Sequence, residues 1–309
     1  MQALFDAIAT MDLQREARRL FHGRGGLYPG CEHLALDAYP PALLLTSFEP
    51  LGDEDLQRVG EALQARWQDL APGEPLCWIY QCRHEGRAET RLMAGELPEP
   101  HVVEEDGARF LVHLLRGQNH GLFLDMAAGR RWVREQCAAQ PGGTVLNLFA
   151  YSCAFSVAAL RGGAASVVNI DMSSGALGTG RRNHELNGLA KNGASFLAHD
   201  LFKSWAKIGR GGPYELVIAD PPSYQKGSFV ATKDYARVMR RLPDLLVPGG
   251  HALLCLNAPN LGPDFLREQM AVEAPTLEFV ARLANPPAFA DVSEDRSLKV
   301  LVYRAPDLA

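Results

Sequence analysis

Two glycine signatures that mark phosphate-bearing ligands are missing from this chain. No G-x-G-x-x-G follows the first strand of its alternating half, so there is no glycine-lined turn for a pyrophosphate. No G-x-x-x-x-G-K-[ST] is present to cradle a nucleoside triphosphate. The six cysteines, Cys31, Cys77, Cys82, Cys137, Cys153 and Cys255, form no C-x-x-C pair and meet no histidine at zinc-ligand spacing. Reduced, mostly buried thiols and no metal are expected. The longest apolar stretch, Val145 to Leu160, includes Asn147 and two serines and falls short of a membrane span. The first residues carry Asp6 and Asp12 and lack the basic, apolar and small-residue order of a secretory signal. A cytoplasmic protein that meets no membrane is the expectation. Positive charge is not in excess either: 31 Lys and Arg face 36 Asp and Glu, a formal net charge of −5. That excludes tight, indiscriminate nucleic-acid binding and requires any RNA to be held locally.

What the chain does have is 309 residues, 47% hydrophobic, enough for two domain cores. Its centre of interest is Glu215-Leu-Val-Ile-Ala-Asp-Pro-Pro-Ser-Tyr224. Leu216 to Ala219 are too few for a helix and too apolar for an edge, which suits the middle of a parallel sheet covered on both faces. Asp220 then lies at the strand's carboxyl end, where doubly wound sheets bind ligands. Pro221 and Pro222 fix the backbone and remove two donors, leaving carbonyls to accept. An acid, free carbonyls and the ring of Tyr224 together suit a flat, amine-bearing ring, held by hydrogen bonds at its edge and by stacking on its face. The alternative is a strand ending in an ordinary Pro-Pro turn.

Around this stretch the chain reads in three parts. Residues 1–22 read as an amphipathic helix ending in Arg15, Arg18 and Arg19. Residues 23–115 read as a small α+β domain: short strands at 31–36, 42–48 and 76–81 surround a helix, 53–70, capped by Asp53, and a hairpin closes it. Residues 116–309 then alternate strand and helix, which specifies right-handed crossovers and an open, doubly wound, seven-stranded, mostly parallel sheet. In that α/β order Asp171 ends the second strand, roughly 20 to 25 residues after the first, where Rossmann-like folds grip ribose hydroxyls. His199-Asp-Leu201 ends the third. A nucleoside without phosphates, its ribose on Asp171 and its adenine near residue 200, fits S-adenosylmethionine.

Val145-Leu-Asn-Leu-Phe-Ala-Tyr-Ser-Cys-Ala-Phe-Ser-Val-Ala-Ala159, Asn169-Ile-Asp-Met-Ser173, Asn183 to Asn187 and Asp220-Pro-Pro-Ser-Tyr224 resemble the class I S-adenosylmethionine-dependent methyltransferases that act on large-subunit ribosomal RNA, the RlmI and RlmK/RlmL group. The similarity runs upstream through Gly121-Leu-Phe-Leu-Asp125 and Gly95-Glu-Leu-Pro-Glu-Pro100 and faintly to Gly26-Leu-Tyr-Pro-Gly30. It implies a methionine-binding loop carrying Asn147, Phe149, Tyr151 and Ser152, with Leu124 and Asp125 beside the cofactor. It also implies ribose on Asp171, adenine on Met172 and Leu201 beside Asp200, and catalysis at Asp220, Pro221 and Tyr224. Relatives carry glycines where this loop has Cys153 and Ala154, and Gln-Arg where it has Met126-Ala127. Those that methylate the 5-carbon of cytosine hold a nucleophilic cysteine after the fifth strand, where this chain reads Leu256-Asn-Ala-Pro259.

Cys255 sits among leucines and reads as an inert core thiol, so a covalent adduct is not expected. A nitrogen nucleophile needs only positioning, which Asp220 and a proline carbonyl supply. The favoured reading is N-methylation of an RNA base. Lys226, Lys233 and Arg237 are phosphate candidates or, equally, a solvated helix face. Two other readings stay open: methylation of a small molecule or free nucleotide, and a non-catalytic cofactor-binding module. Monomer and homodimer are likewise both open.

Overall fold

A computed structural model describes residues 1–189, 193–222 and 229–308, and the backbone of Tyr224 and Gln225. It divides into two compact units, 1–125 with 286–293, and 126–285 with 294–309. The sequence reading places the division near residue 115, ten residues earlier.

The first unit begins with α1 (Gln2–Thr10), followed by β1 (Arg18–His22), β2 (Leu34–Tyr39), β3 (Ala42–Ser47), α2 (Asp53–Leu70), β4 (Cys77–His84) and β5 (Arg87–Ala94). The hairpin β6 (His101–Glu105) and β7 (Ala108–Val112) completes it. The expected helix over 1–22 is corrected: it stops at Thr10, and Arg18 to His22 pair antiparallel with β2. The strand wins because Phe21 enters the core beside Leu34 and Leu36, while Arg19 reaches Asp37 at 2.6 and 3.1 Å. Asp53 is likewise the first helical residue of α2 and not its cap; the cap position is Gly52. The sheet order is β1-β2-β3-β4-β5. Leu36, Leu43, Leu45 and Trp78 from the sheet share one core with Leu4 and Ile8 of α1 and Leu56, Val59 and Leu63 of α2. Each such buried side chain contributes about 1.5–3 kcal/mol.

The second unit opens with α3 (Ala127–Ala139) and continues with β8 (Thr144–Leu148), α4 (Ala154–Arg161), β9 (Ser166–Asp171), α5 (Ser174–Leu186), β10 (Ala194–Ala198), α6 (Trp205–Gly209) and β11 (Tyr214–Ala219). A small ribbon, β12 (Tyr224–Gln225) and β13 (Phe229–Val230), leads into α7 (Ala231–Met239) and α8 (Leu242–Leu245). Next come β14 (Leu246–Leu256), α9 (Pro263–Glu273), β15 (Glu278–Arg282) and β16 (Lys299–Arg304). The sheet has seven strands in the order β10-β9-β8-β11-β14-β16-β15. The first five are parallel and β16 is antiparallel to both its neighbours. Both faces are covered, which is why β8, β11 and β14 read as nearly unbroken apolar runs. Strand order reverses between β8 and β11, where Leu148 pairs with Ala219, so both chains leave the sheet side by side at its carboxyl edge. Among the described residues no helix is long and apolar enough to cross a membrane.

Candidate cofactor and acceptor site

The loop from β8 to α4 turns without glycine. Phe149, Tyr151 and Cys153 have φ of +58°, +47° and +60°. A left-handed non-glycine residue costs about 1–2 kcal/mol, so three in five residues need firm support. Four hydrogen bonds supply it. The Ala150 N–H donates to the Ile170 carbonyl at 3.0 Å and the Cys153 N–H to the Ala150 carbonyl at 2.7 Å. The Tyr151 N–H donates to Asp171 Oδ2 at 2.9 Å, and Asn183 Nδ2 to the Ser152 carbonyl at 2.9 Å. The Cys153 thiol is wholly buried against α5: a Cβ placed on Gly180 would stand 2.4 Å from its Sγ.

Asp171 ends β9 and clamps both sides of the turn. Its Oδ2 holds Tyr151, and its Oδ1 accepts from the Ser173 N–H at 2.8 Å. Ser173 caps α5 by accepting from the Ala176 N–H at 3.1 Å. Met172, next to the clamp, is 54% exposed and offers an apolar surface for a flat ring. Asp200 lies at the foot of the adjacent strand, accepting from the Phe202 N–H at 2.9 Å and pairing with Lys203 at 3.5 Å. Leu201 is only 4% exposed and belongs to the central core.

Asn147 stands deeper than a ligand contact, at 1% exposure within β8. Its Nδ2 donates to Asn169 Oδ1 at 2.9 Å, and Asn169 donates in turn to Ser156 Oγ at 3.0 Å. Ser156 meets His184 Nε2 at 2.9 Å, and His184 Nδ1 meets the Gly180 carbonyl at 2.7 Å. Burial pushes the His184 pKa down, so the ring is neutral with its proton on Nδ1, and Ser156 donates to Nε2. This buried chain ties β8, β9, α4 and α5 together beneath the loop. Ser152, at 2% exposure, is also interior. Sequence reasoning missed Asn169, Ser156 and His184, although polar residues inside apolar runs were a signal.

Asp220 ends β11, half-buried, and Pro221 is buried behind it. Complete burial raises the pKa of Tyr235, with Cys255 and the Asp220 carboxylate adding to the shift, so that phenol stays neutral. The Tyr235 hydroxyl donates to the Cys255 carbonyl. Phe229 packs edge-on to Phe149 at 5.1 Å and to Tyr235 at 5.4 Å, joining the loop after β8 to α7 through aromatic contacts. Phe229 and Tyr235 were not read from the sequence; the helical spacing of Tyr235, Val238 and Met239 marks that buried face. The backbone of Tyr224 pairs with Val230, while its ring, like Ser223 and Lys226, lies outside the described residues. Cys255 is wholly buried within β14 opposite Val300.

Leu124 and Asp125 belong to the first unit. There Leu124 is 6% exposed, and burial lowers the pKa of Arg24, with Arg19 lowering it further and the Asp125 carboxylate only partly opposing them.

A family model described as S-adenosylmethionine-dependent methyltransferase matches residues 18–304, and the chain belongs to that family. It is 30% identical to the ribosomal RNA large subunit methyltransferase I of Aeromonas salmonicida, across 97% of this chain and 83% of that protein. It is 36% identical to the ribosomal RNA large subunit methyltransferase K/L of Psychrobacter, across 55% of this chain and 21% of that one. Among solved structures, SMU.776, a putative methyltransferase complexed with SAH, superposes with a TM-score of 0.80 at 25% identity, covering 98% of this chain and 79% of that one.

The residues present fit S-adenosylmethionine. A carboxylate at the end of β9 and an exposed thioether beside it are the kinds of group that ribose hydroxyls and the face of an adenine require. When bound, the cofactor supplies an electrophilic sulfonium methyl.

Proposed function

We propose that this enzyme N-methylates a base in RNA, most naturally ribosomal RNA, in the cytoplasm and without a covalent cysteine intermediate. The observation that carries the reading is Asp220, half-buried at the carboxyl end of β11 beside the loop that follows β8, with no exposed thiol there among the described residues. The relatives named above, called ribosomal RNA methyltransferases, support the substrate class. In this reading the Asp220 carboxylate accepts from an exocyclic amine and the Pro221 carbonyl accepts its second proton. The nitrogen lone pair is then aimed by positioning alone. Stacking on the face of the base is the role this reading gives to Tyr224.

Mapping modified positions in RNA from cells with and without this protein tests the reading. Loss of one methylated base in the knockout, restored by the wild type and not by Asp220→Ala, is the expected result. An unchanged RNA map, with methyl transfer to free nucleotides, would refute it.

A further inference from the structure

Charge is divided unequally between the two units. The first holds eleven arginines and no lysine against twenty-one acidic residues, a net of −10, and the second holds twenty basic residues against fifteen acidic, a net of +5. A polyanion is therefore repelled by the first unit's overall field and attracted by the second's. The positive charge of the second unit includes an ordered face. The Arg237 guanidinium lies 3.7 Å from the centroid of Phe202, and Arg241 lies 5.7 Å from that of Trp205. The two rings meet edge to face at 6.3 Å, so cation, ring, ring and cation form one ladder from Phe202 just before α6 and Trp205 at its start to Arg237 in α7 and Arg241 just before α8.

These arginines are held without being used up. Arg237 meets Asp234 through Nη1 alone at 2.9 Å, and its side chain is still 45% exposed. Arg241 pairs with Asp244 at 3.3 Å at 40% exposure. Stacking fixes the plane of a guanidinium while leaving its remaining N–H edge for a phosphate, which it can grip with two bonds. Lys203, 84% exposed, and the exposed Lys207 and Lys233 flank the ladder. The segments bearing these residues follow β10 and β11, so the face begins at the same carboxyl edge as Asp171 and Asp220.

Resting on the RNA reading above, we propose that this face, formed by Lys203, Trp205, Lys207, Lys233, Arg237 and Arg241, carries the RNA backbone flanking the target base. The methyltransferase unit thus holds its own substrate strand. Arginines give the phosphate contacts, and the aromatic rings keep them flat. A net charge of −5 is compatible with this because the contact is local.

The test uses the full chain and a labelled single-stranded fragment of large-subunit ribosomal RNA, titrated between 50 and 200 mM salt (on the order of the range in which phosphate contacts weaken). Arg237→Gln with Arg241→Gln should flatten the log–log salt slope by about 1.4, since each phosphate contact to a single strand contributes about 0.7. Calorimetric affinity for S-adenosylmethionine and the melting temperature should stay at the wild-type values. Arg58→Gln with Arg87→Gln, on the first unit, should leave the slope unchanged. A steep wild-type slope that the Arg237 and Arg241 changes leave intact would overturn this placement while the RNA reading stands. An equal loss from the Arg58 and Arg87 pair would overturn it as well. Wild-type protein with no salt-dependent RNA binding would sink the RNA reading and this one with it.

Discussion

Replacing Asp171 should show how much of the cofactor site rests on one carboxylate. Its two oxygens already accept backbone N–H groups, from Tyr151 at 2.9 Å and Ser173 at 2.8 Å, and it is assigned the ribose hydroxyls. Hydrogen bonds to a charged group contribute about 1.5–3 kcal/mol each. Asp171→Ala should therefore weaken S-adenosylmethionine by about 10- to 150-fold from the ribose contact alone. Freeing Tyr151, whose left-handed backbone costs about 1–2 kcal/mol to hold, adds to that loss. Asp171→Asn is the sharper probe because its volume is unchanged. An amide turns one NH2 group toward a backbone N–H, so a donor faces a donor and one clamp is lost. The asparagine variant should be at least about tenfold weaker, the scale of one lost charge-assisted bond. Calorimetry with S-adenosylmethionine measures the affinity, and thermal unfolding without ligand measures the loop's own support. A Kd within twofold of wild type for the alanine variant would refute the ribose assignment. An asparagine variant indistinguishable from wild type would refute the double clamp.

The remaining expectations concern the acceptor, the core and pH. Asp220→Ala should lower kcat by about 100-fold or more, the scale of lost positioning, whereas Cys255→Ala should keep activity within about tenfold. An RNA adduct trapped on Cys255 would overturn that contrast. Gly180→Ala should destabilise the second unit by about 1–3 kcal/mol through its clash with Cys153. Adding Cys153→Gly should restore much of the loss, and a double variant that melts no higher than Gly180→Ala alone would refute the packing argument. Burial pushes the Lys299 ammonium down from 10.5 to about 8 while it donates to the Ala258 and Asp295 carbonyls. Between those two values the unfolded chain holds a proton that the folded chain has lost. Stability from this group therefore rises as pH climbs from 8 towards 10.5, and is lost as pH falls through 8. Urea unfolding should show wild type gaining on Lys299→Met between about pH 7.5 and 9.5, and a gap moving the other way would contradict the assignment.

The features legible in the sequence are those whose cause is local. The helix at 53–70 was readable to the residue from its spacing, and the parallel sheet from strict alternation. Asp171 and Asp220 followed from their places at strand ends. What was hidden depends on distant partners. Leu20 and Phe21 fit a helical stripe as well as a strand, and only pairing with β2 decides between them. The edge strand β5 alternates arginine and glutamate with little apolar signal, because one side of it meets solvent. The left-handed backbone at Phe149, Tyr151 and Cys153 had no glycine to announce it. Residues 286–293 join the first unit after a long excursion, as no local pattern could foretell.

The seat of Cys153 against Gly180 also has a consequence for motion. A thiol seated against Gly180 of α5 gears the loop to the helix, and the bond from Asn183 to Ser152 adds a second tooth on the next turn. Neither piece can slide by a fraction of an ångström without carrying the other. In deuterium exchange, the amides of Ala150, Tyr151 and Cys153 should open in concert with those around Gly180, as one cooperative patch. Cofactor arrival at the loop should then slow exchange in the middle of α5, including amides that no ligand atom touches.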